Sequence, residues 1–105
     1  MQDLNIELIN QAAEALSSLV RKTPLEYSPV LSDLYDMPVY LKMEFLQITG
    51  SFKLRGAFFR LLRLRAEEKS KGVATCSAGN HGWALAYAGR QLDIPVTVYL
   101  SLIHI

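Results

Sequence analysis

The sequence has one cysteine, Cys76, and two histidines, His81 and His104. A single thiol closes no internal disulfide, and these three residues do not make up the usual structural zinc site. The fold therefore depends on packing alone, and the cytosol, where thiols stay reduced, is the compartment that fits. Charge of one sign is lacking too. Eleven Lys and Arg against ten Asp and Glu leave a net charge of +1, which gives no general attraction to nucleic acid or to an anionic membrane. No apolar run approaches the roughly 20 residues that a membrane-spanning helix needs. The first residues, with Gln2, Asp3 and Asn5, lack the basic-then-apolar order of a secretory signal. Repeats, low-complexity tracts and linkers are missing as well. Half of the 105 residues are hydrophobic and a fifth are charged, the balance of one small, soluble, packed domain.

In "DLNIELINQAAEALSSLV", Ile9, Ala12, Ala13, Leu16, Leu19 and Val20 recur at helical spacing, with Asp3 or Asn5 as the cap. "RKTPL" ends this helix, because Pro24 lacks an amide donor and pushes Thr23 towards extended geometry. "SPVLSDLYD" predicts one or two helical turns, and "MPVYLKME" predicts a strand with Val39, Leu41 and Met43 on one face. "SFKLRGAFFRLLRLRAEEKSK" reads as a second helix, capped by Ser51 and ended by Gly72. "GVATC" is a buried strand, "SAGNHG" a loop, "WALAYAGRQL" a third helix and "IPVTVYL" a last strand. Helix, strand, helix, strand is the order of an α/β fold with a parallel sheet and flanking helices. "SLIHI", residues 101–105, follows the last strand as an anomalous tail with no further crossover. The chain accordingly reads as a truncated N-terminal piece of a longer protein. The competing account is a complete small domain that buries this end by dimerising.

The stretch "GSFKLRGAFF" sets Lys53 in the first turn of a helix, between Phe52 and Leu54. Unsatisfied amides there oppose an ammonium, and desolvation by Phe52, Leu54 and Phe58 would push the same way. A neutral lysine is what imine chemistry with an aldehyde requires. The competing account is a lysine whose stem covers apolar surface while its head reaches water. In "SAGNHG" the amides of Ala78, Gly79, Asn80 and His81 lie between a strand and a helix, where they suit an anion. Ser77 and Asn80 add hydroxyl and amide donors, so a carboxylate or phosphate would be held. Here the competing account is a tight turn with Ser77 or Asn80 as a cap. The spacing Gly79-x-x-Gly82 lacks the first glycine of a dinucleotide fingerprint.

Together, "SFKLRGA" and "SAGNHGWALA", with Ser77 standing 24 residues after Lys53 and with "TPL" and "VYLKMEFLQITG" before them, carry a family resemblance. The chain resembles the fold-type II pyridoxal-phosphate enzymes, and among them the threonine/serine dehydratases (ammonia-lyases) and serine racemases. The resemblance runs from about residue 23 to residue 100 and covers the N-terminal third of a typical member. It implies a tryptophan synthase β-like fold, pyridoxal phosphate as cofactor, a small amino-acid substrate and a homo-oligomeric parent. By position, Lys53 matches the lysine that holds pyridoxal phosphate and then moves protons at the substrate α-carbon. Phe52 matches the residue beside the cofactor ring, and Asn80 the asparagine on the cofactor's ring hydroxyl. Ser77, Ala78, Gly79, Asn80 and His81 match the loop that grips the substrate carboxylate.

The implied reaction is β-elimination from L-threonine or L-serine. Lys53 takes the α-proton, the β-hydroxyl leaves, and hydrolysis gives a 2-keto acid and ammonia. Serine racemases of this type resemble one another in carrying serine where this chain has Ala78, so elimination is expected over racemisation. The enzyme alternatives are a serine racemase or another lyase or synthase on the same cofactor. The non-enzyme alternative is a module that binds a carboxylate or nucleotide through "SAGNHG" without an imine. In the family a second glycine-rich loop clamps the cofactor phosphate and a hydroxyl or thiol meets the pyridine nitrogen. Neither is found here, so this piece by itself is expected to be inactive.

Trp83 stands where the family usually has glutamine, and reads either as core or as a residue narrowing the site. Arg55 is expected to be structural, paired with an acid or solvated, and Cys76 to be buried and inert. Arg60, Arg63, Arg65, Lys69 and Lys71 form a run broken by Glu67 and Glu68, which reads as a solvated helix face. His104 receives no role.

Overall fold

The computed structural model describes residues 3–100; the tail at 101–105, with His104, lies outside the described residues. The first helix, α1, spans Ile6–Leu16 and is capped by Asn5, whose side-chain oxygen accepts from the Leu8 amide at 2.8 Å. It stops before the predicted Val20 because the Ser17 hydroxyl turns back to donate to the Glu14 carbonyl at 2.9 Å. Of its apolar residues only Leu16 is buried, while Ile9, Ala12 and Ala13 line an open groove towards Arg55, Gly56 and Phe59.

Two three-residue strands follow, β1 at Leu25–Tyr27 and β2 at Tyr40–Lys42. They pair antiparallel, with Leu25 opposite Lys42 and Tyr27 opposite Tyr40, whose rings meet edge to face at 5.5 Å. The strand expected over "MPVYLKME" is thus shorter than its pattern suggests. Glu44–Leu46 already forms a 3₁₀ turn, and Leu41 is exposed. Helix α2, Pro29–Tyr35, connects the two strands as two turns, with Ser28 as cap and Pro29 at its first position.

The core comes from α3, Lys53–Leu62, and α5, Asn80–Leu92. Leu54, Ala57, Phe58 and Leu61 recur at i, i+3, i+4 and i+7 and are all buried. They meet Leu85 and the alanines Ala84 and Ala88, whose small side chains let the helices approach, and Phe58 packs edge to face on Tyr87 at 6.1 Å. The helix predicted through residue 71 is broken. Arg65 is extended (φ −68°, ψ 157°), and a separate helix α4, Ala66–Lys71, begins after it. The Glu68 carboxylate accepts from the Arg65 amide at 2.9 Å, so a local bond starts α4 afresh. Arg65 also pairs with Glu67 and Glu68, and the Arg63 guanidinium lies over the Phe59 ring, as a solvated helix face allows.

Strands β3, Val73–Cys76, and β4, Val96–Tyr99, pair in parallel, Val73 with Val96 through Cys76 with Tyr99, and α5 is their crossover. Alternate residues of both strands are half-buried and exposed, because only one face is covered. Cys76 and Tyr99 fall on the bare face, so Cys76 is exposed and not the buried thiol expected. Two glycines allow α5 its close approach to β4. A Cβ on Gly89 would sit 2.3 Å from Val96 Cγ2, and one on Gly82 would sit 2.8 Å from Val98 Cγ1. Among the described residues no helix is long and apolar enough to cross a membrane.

Candidate active site

Lys53 is the first residue of α3, and the turn before it is fixed from both sides. The buried Gln47 side chain clasps the backbone of Arg21: its oxygen accepts from the Arg21 amide at 2.8 Å, and its nitrogen donates to the Arg21 carbonyl at 3.0 Å. Glu44 receives two bonds from Arg55, at 2.7 and 3.0 Å, and one from the Thr23 hydroxyl at 2.5 Å. The Arg55 bonds hold the Glu44 carboxyl at about 2, below its usual 4.5; burial opposes this, while Thr23 and Gln47 add to it. Arg55 is raised in turn, chiefly by its bond to Glu44, so the structural role expected for it is met. Gly50 then turns the chain at φ +74°, a conformation that costs a side-chain-bearing residue. Ser51 stands one residue outside its predicted place as cap. The flanking residue is Phe52, and the Ser51 hydroxyl accepts from the Lys53 amide at 3.4 Å. Beside this turn, the Thr49 hydroxyl is buried without a partner among the described residues.

The enclosure expected for Lys53 is not found. Lys53 is exposed, Phe52 is 62% exposed, and Leu54 and Phe58 point into the core. Adjacent positions on a helix face different ways, so apolar neighbours in sequence are not walls in space. Among the described residues Phe52 is the aromatic ring that meets the ammonium, its centroid 5.2 Å from Nζ.

The second half of the site is the start of α5. The loop expected over "SAGNHG" is shorter than that, because the helix begins at Asn80 and takes His81 and Gly82 into its first turn. Ser77 organises this end: its hydroxyl accepts from the Gly79 amide at 3.1 Å and the Gly82 amide at 2.8 Å. Both lone pairs are then used, and the hydroxyl hydrogen is what Ser77 has left to offer. The capping account and the ligand account of Ser77 are therefore compatible. Among the described residues the amides of Ala78, Asn80 and His81 carry no hydrogen bond, whereas that of Gly79 is taken by Ser77. A Cβ built on Gly79 would meet nothing within 4 Å, so the loop opens to solvent. His81 also lines a groove with Gly56, Arg60 and Thr75.

The two halves adjoin. Trp83, on α5, brings its ring to 3.8 Å from the Cβ position of Gly50, three residues before Lys53. It is 58% exposed, so it is not the core residue that its helical position suggested. The sequence signal for this contact was the departure at Trp83 itself. The Gln47 clasp had no sequence signal, because it joins residues 26 apart. Free amides at a helix start, a positioned hydroxyl donor and an exposed lysine amine suit a ligand with an anionic group and an aldehyde. Pyridoxal phosphate with an amino-acid carboxylate meets that description. Among the described residues no cluster of three metal-ligating side chains exists.

Comparison with known proteins agrees with this chemistry. A biosynthetic L-threonine dehydratase of Lactococcus lactis subsp. lactis is 45% identical over 90% of this chain and 23% of its own length. An L-threonine ammonia-lyase of Thermotoga maritima is 43% identical over 92% of this chain and 24% of its own length. The chain thus spans about a quarter of the length of these curated relatives. The crystal structure of serine racemase from Dictyostelium discoideum superposes with a TM-score of 0.83 at 39% identity, covering 90% of this chain and 31% of that one. The profile of the family described as "Pyridoxal-phosphate dependent enzyme" matches residues 16–103, and the chain belongs to that family.

Proposed function

We propose that the protein carrying this chain is a pyridoxal-phosphate-dependent ammonia-lyase that converts L-threonine or L-serine to a 2-keto acid and ammonia. The observation that carries this reading is the adjacency of two helix starts, one bearing the exposed Lys53 amine and the other the unbonded amides of Ala78, Asn80 and His81. The α5 amides and the Ser77 hydroxyl bind the substrate carboxylate, charge-assisted and at the positive end of the helix. Lys53 would hold the cofactor, with Phe52 and Asn80 as the further residues that would contact it. The bound cofactor supplies an electron sink for the α-carbon. The Lys53 amine, when free, accepts the α-proton as general base. The β-hydroxyl then leaves with its bonding electrons and takes the proton from Lys53 to depart as water. A further water replaces nitrogen at the α-carbon, which leaves as ammonia, to give the keto acid. The names of the two dehydratase relatives support elimination.

A second reading, racemisation, draws on the likeness to the Dictyostelium enzyme. It needs a proton donor on the opposite face of the α-carbon, and the methyl of Ala78 has none. The test is borohydride reduction of the cofactor-loaded protein, peptide mapping, and a keto-acid assay with both amino acids. Label on Lys53 with keto-acid release supports elimination. Label on Lys53 with D-serine formed and no keto acid supports racemisation, and absence of label overturns the cofactor assignment.

A further inference from the structure

We propose that Trp83 is a specificity-determining residue whose indole limits the size of the substrate side chain; this rests on the ammonia-lyase reading above. Three observations carry it. Trp83 is the sole tryptophan of the chain and is 58% exposed, although its place on α5 is the fourth helical position, one residue before buried Ala84 and Leu85. The core formed by α3 and α5 does not include this ring. Its ring has a neighbour on the lysine side, lying 3.8 Å from the Cβ position of Gly50 in the turn that leads to Lys53.

Direction supplies the rest of the argument. Side chains on a helix lean towards its N-terminus and cover the turn before their own Cα. Carried by the fourth residue of α5 and resting at Gly50, the indole of Trp83 lies between the α5 start, where the amides of Asn80 and His81 are unbonded, and the turn into Lys53. A bound amino acid would have its carboxylate at those amides and its α-carbon within reach of Lys53. The part of the ligand left to meet the bridging indole is the substituent on the α-carbon. A rigid bicycle there leaves room for a hydroxymethyl or hydroxyethyl group and opposes anything longer. Pocket contacts of one methylene are typically worth about ten- to a hundredfold in kcat/KM, which is the scale the test must resolve.

The experiment uses the full-length, cofactor-loaded protein with Trp83→Phe and Trp83→Ala, and the substrates L-serine, L-threonine and the next longer β-hydroxy amino acid, 3-hydroxynorvaline. In Trp83→Ala the kcat/KM for 3-hydroxynorvaline relative to L-serine is expected to rise about tenfold or more, with Trp83→Phe between the two. As a readout besides turnover, adding L-alanine, which has no leaving group, is expected to change tryptophan emission in the unsubstituted protein and not in Trp83→Phe. If substrate ratios stay within about twofold in both variants while Lys53 still takes the borohydride label, the inference is overturned and the proposed function stands. If the unsubstituted protein takes no label on Lys53, the proposed function falls, and this inference with it.

Discussion

The Arg55 guanidinium grips the Glu44 carboxylate with two nitrogens, at 2.7 and 3.0 Å, and so ties α3 to the 3₁₀ turn that leads into the lysine loop. Glu44 is also met by the Thr23 hydroxyl, so one carboxylate joins three separate segments. Its side chain is only 13% exposed, against 35% for Arg55, and this separates the pair from an ordinary surface ion pair.

Arg55→Met is expected to cost about 1 to 2 kcal/mol at neutral pH, since it strands a largely buried carboxylate while the arginine itself is partly solvated. The pH dependence has a definite sign. The folded-state value for Glu44, about 2, lies below the ordinary 4.5, so its contribution is present above 4.5 and is lost as pH falls towards 2. Urea midpoints at neutral pH and near pH 3 should therefore differ more in the unsubstituted protein than in Arg55→Met. Equal acid losses in the two proteins would show that Glu44 is not held low.

Gly89→Ala is expected to be more damaging than Gly82→Ala. The new Cβ at Gly89 meets Val96 Cγ2 at 2.3 Å and also the Ile94 carbonyl at 2.8 Å, and backbone does not step aside. At Gly82 the tightest neighbour is the end of the Val98 side chain at 2.8 Å. Losses of about 3 and about 1 kcal/mol follow from the cost of overpacking. Val98→Ala should rescue Gly82→Ala in thermal melts, whereas Val96→Ala should rescue Gly89→Ala only in part.

Ser77→Ala removes the acceptor of both the Gly79 and the Gly82 amide. A loss of about 1 to 2 kcal/mol is expected from the frayed start of α5, together with a rise in KM for amino-acid substrates. Ser77→Thr keeps the hydroxyl and should restore most of both effects. A KM unchanged in Ser77→Ala would remove Ser77 from the carboxylate site.

Lys53→Ala separates fold from chemistry. Lys53 is exposed at the first helical position, with its ammonium 5.2 Å from the Phe52 ring centroid. Thermal stability should stay within about 0.5 kcal/mol of the parent, while the borohydride label and keto-acid release vanish.

The sequence made some of these relationships legible and hid others. The apolar series Leu54, Ala57, Phe58, Leu61 is a property of one helix, so its period was enough to find the core. The same holds for Lys53 at a helix start and for the α5 crossover between parallel strands. Strand β1 is different: "LEY" has no pattern of its own and is a strand only because β2 pairs with it. The break at Arg65 depends on one carboxylate returning to one amide, and helical spacing runs straight through it. The burial expected for Cys76 fails, and the two readings of Trp83 stay open in the sequence, for a shared reason. Period and composition say which residues share a face, but whether that face is covered depends on its tertiary neighbours.

The packing of α3 on α5 also constrains motion. Both helices start at the site, one with the amine and the other with the amides, and behind these ends they are locked by Phe58, Leu61, Ala84 and Ala88. The Lys53 backbone and the first turn of α5 are therefore carried on two helices packed against each other. Pulling those two helix starts apart would expose the buried face of Leu54, Phe58 and Leu61, so the pair resists separation as a frame resists being sprung.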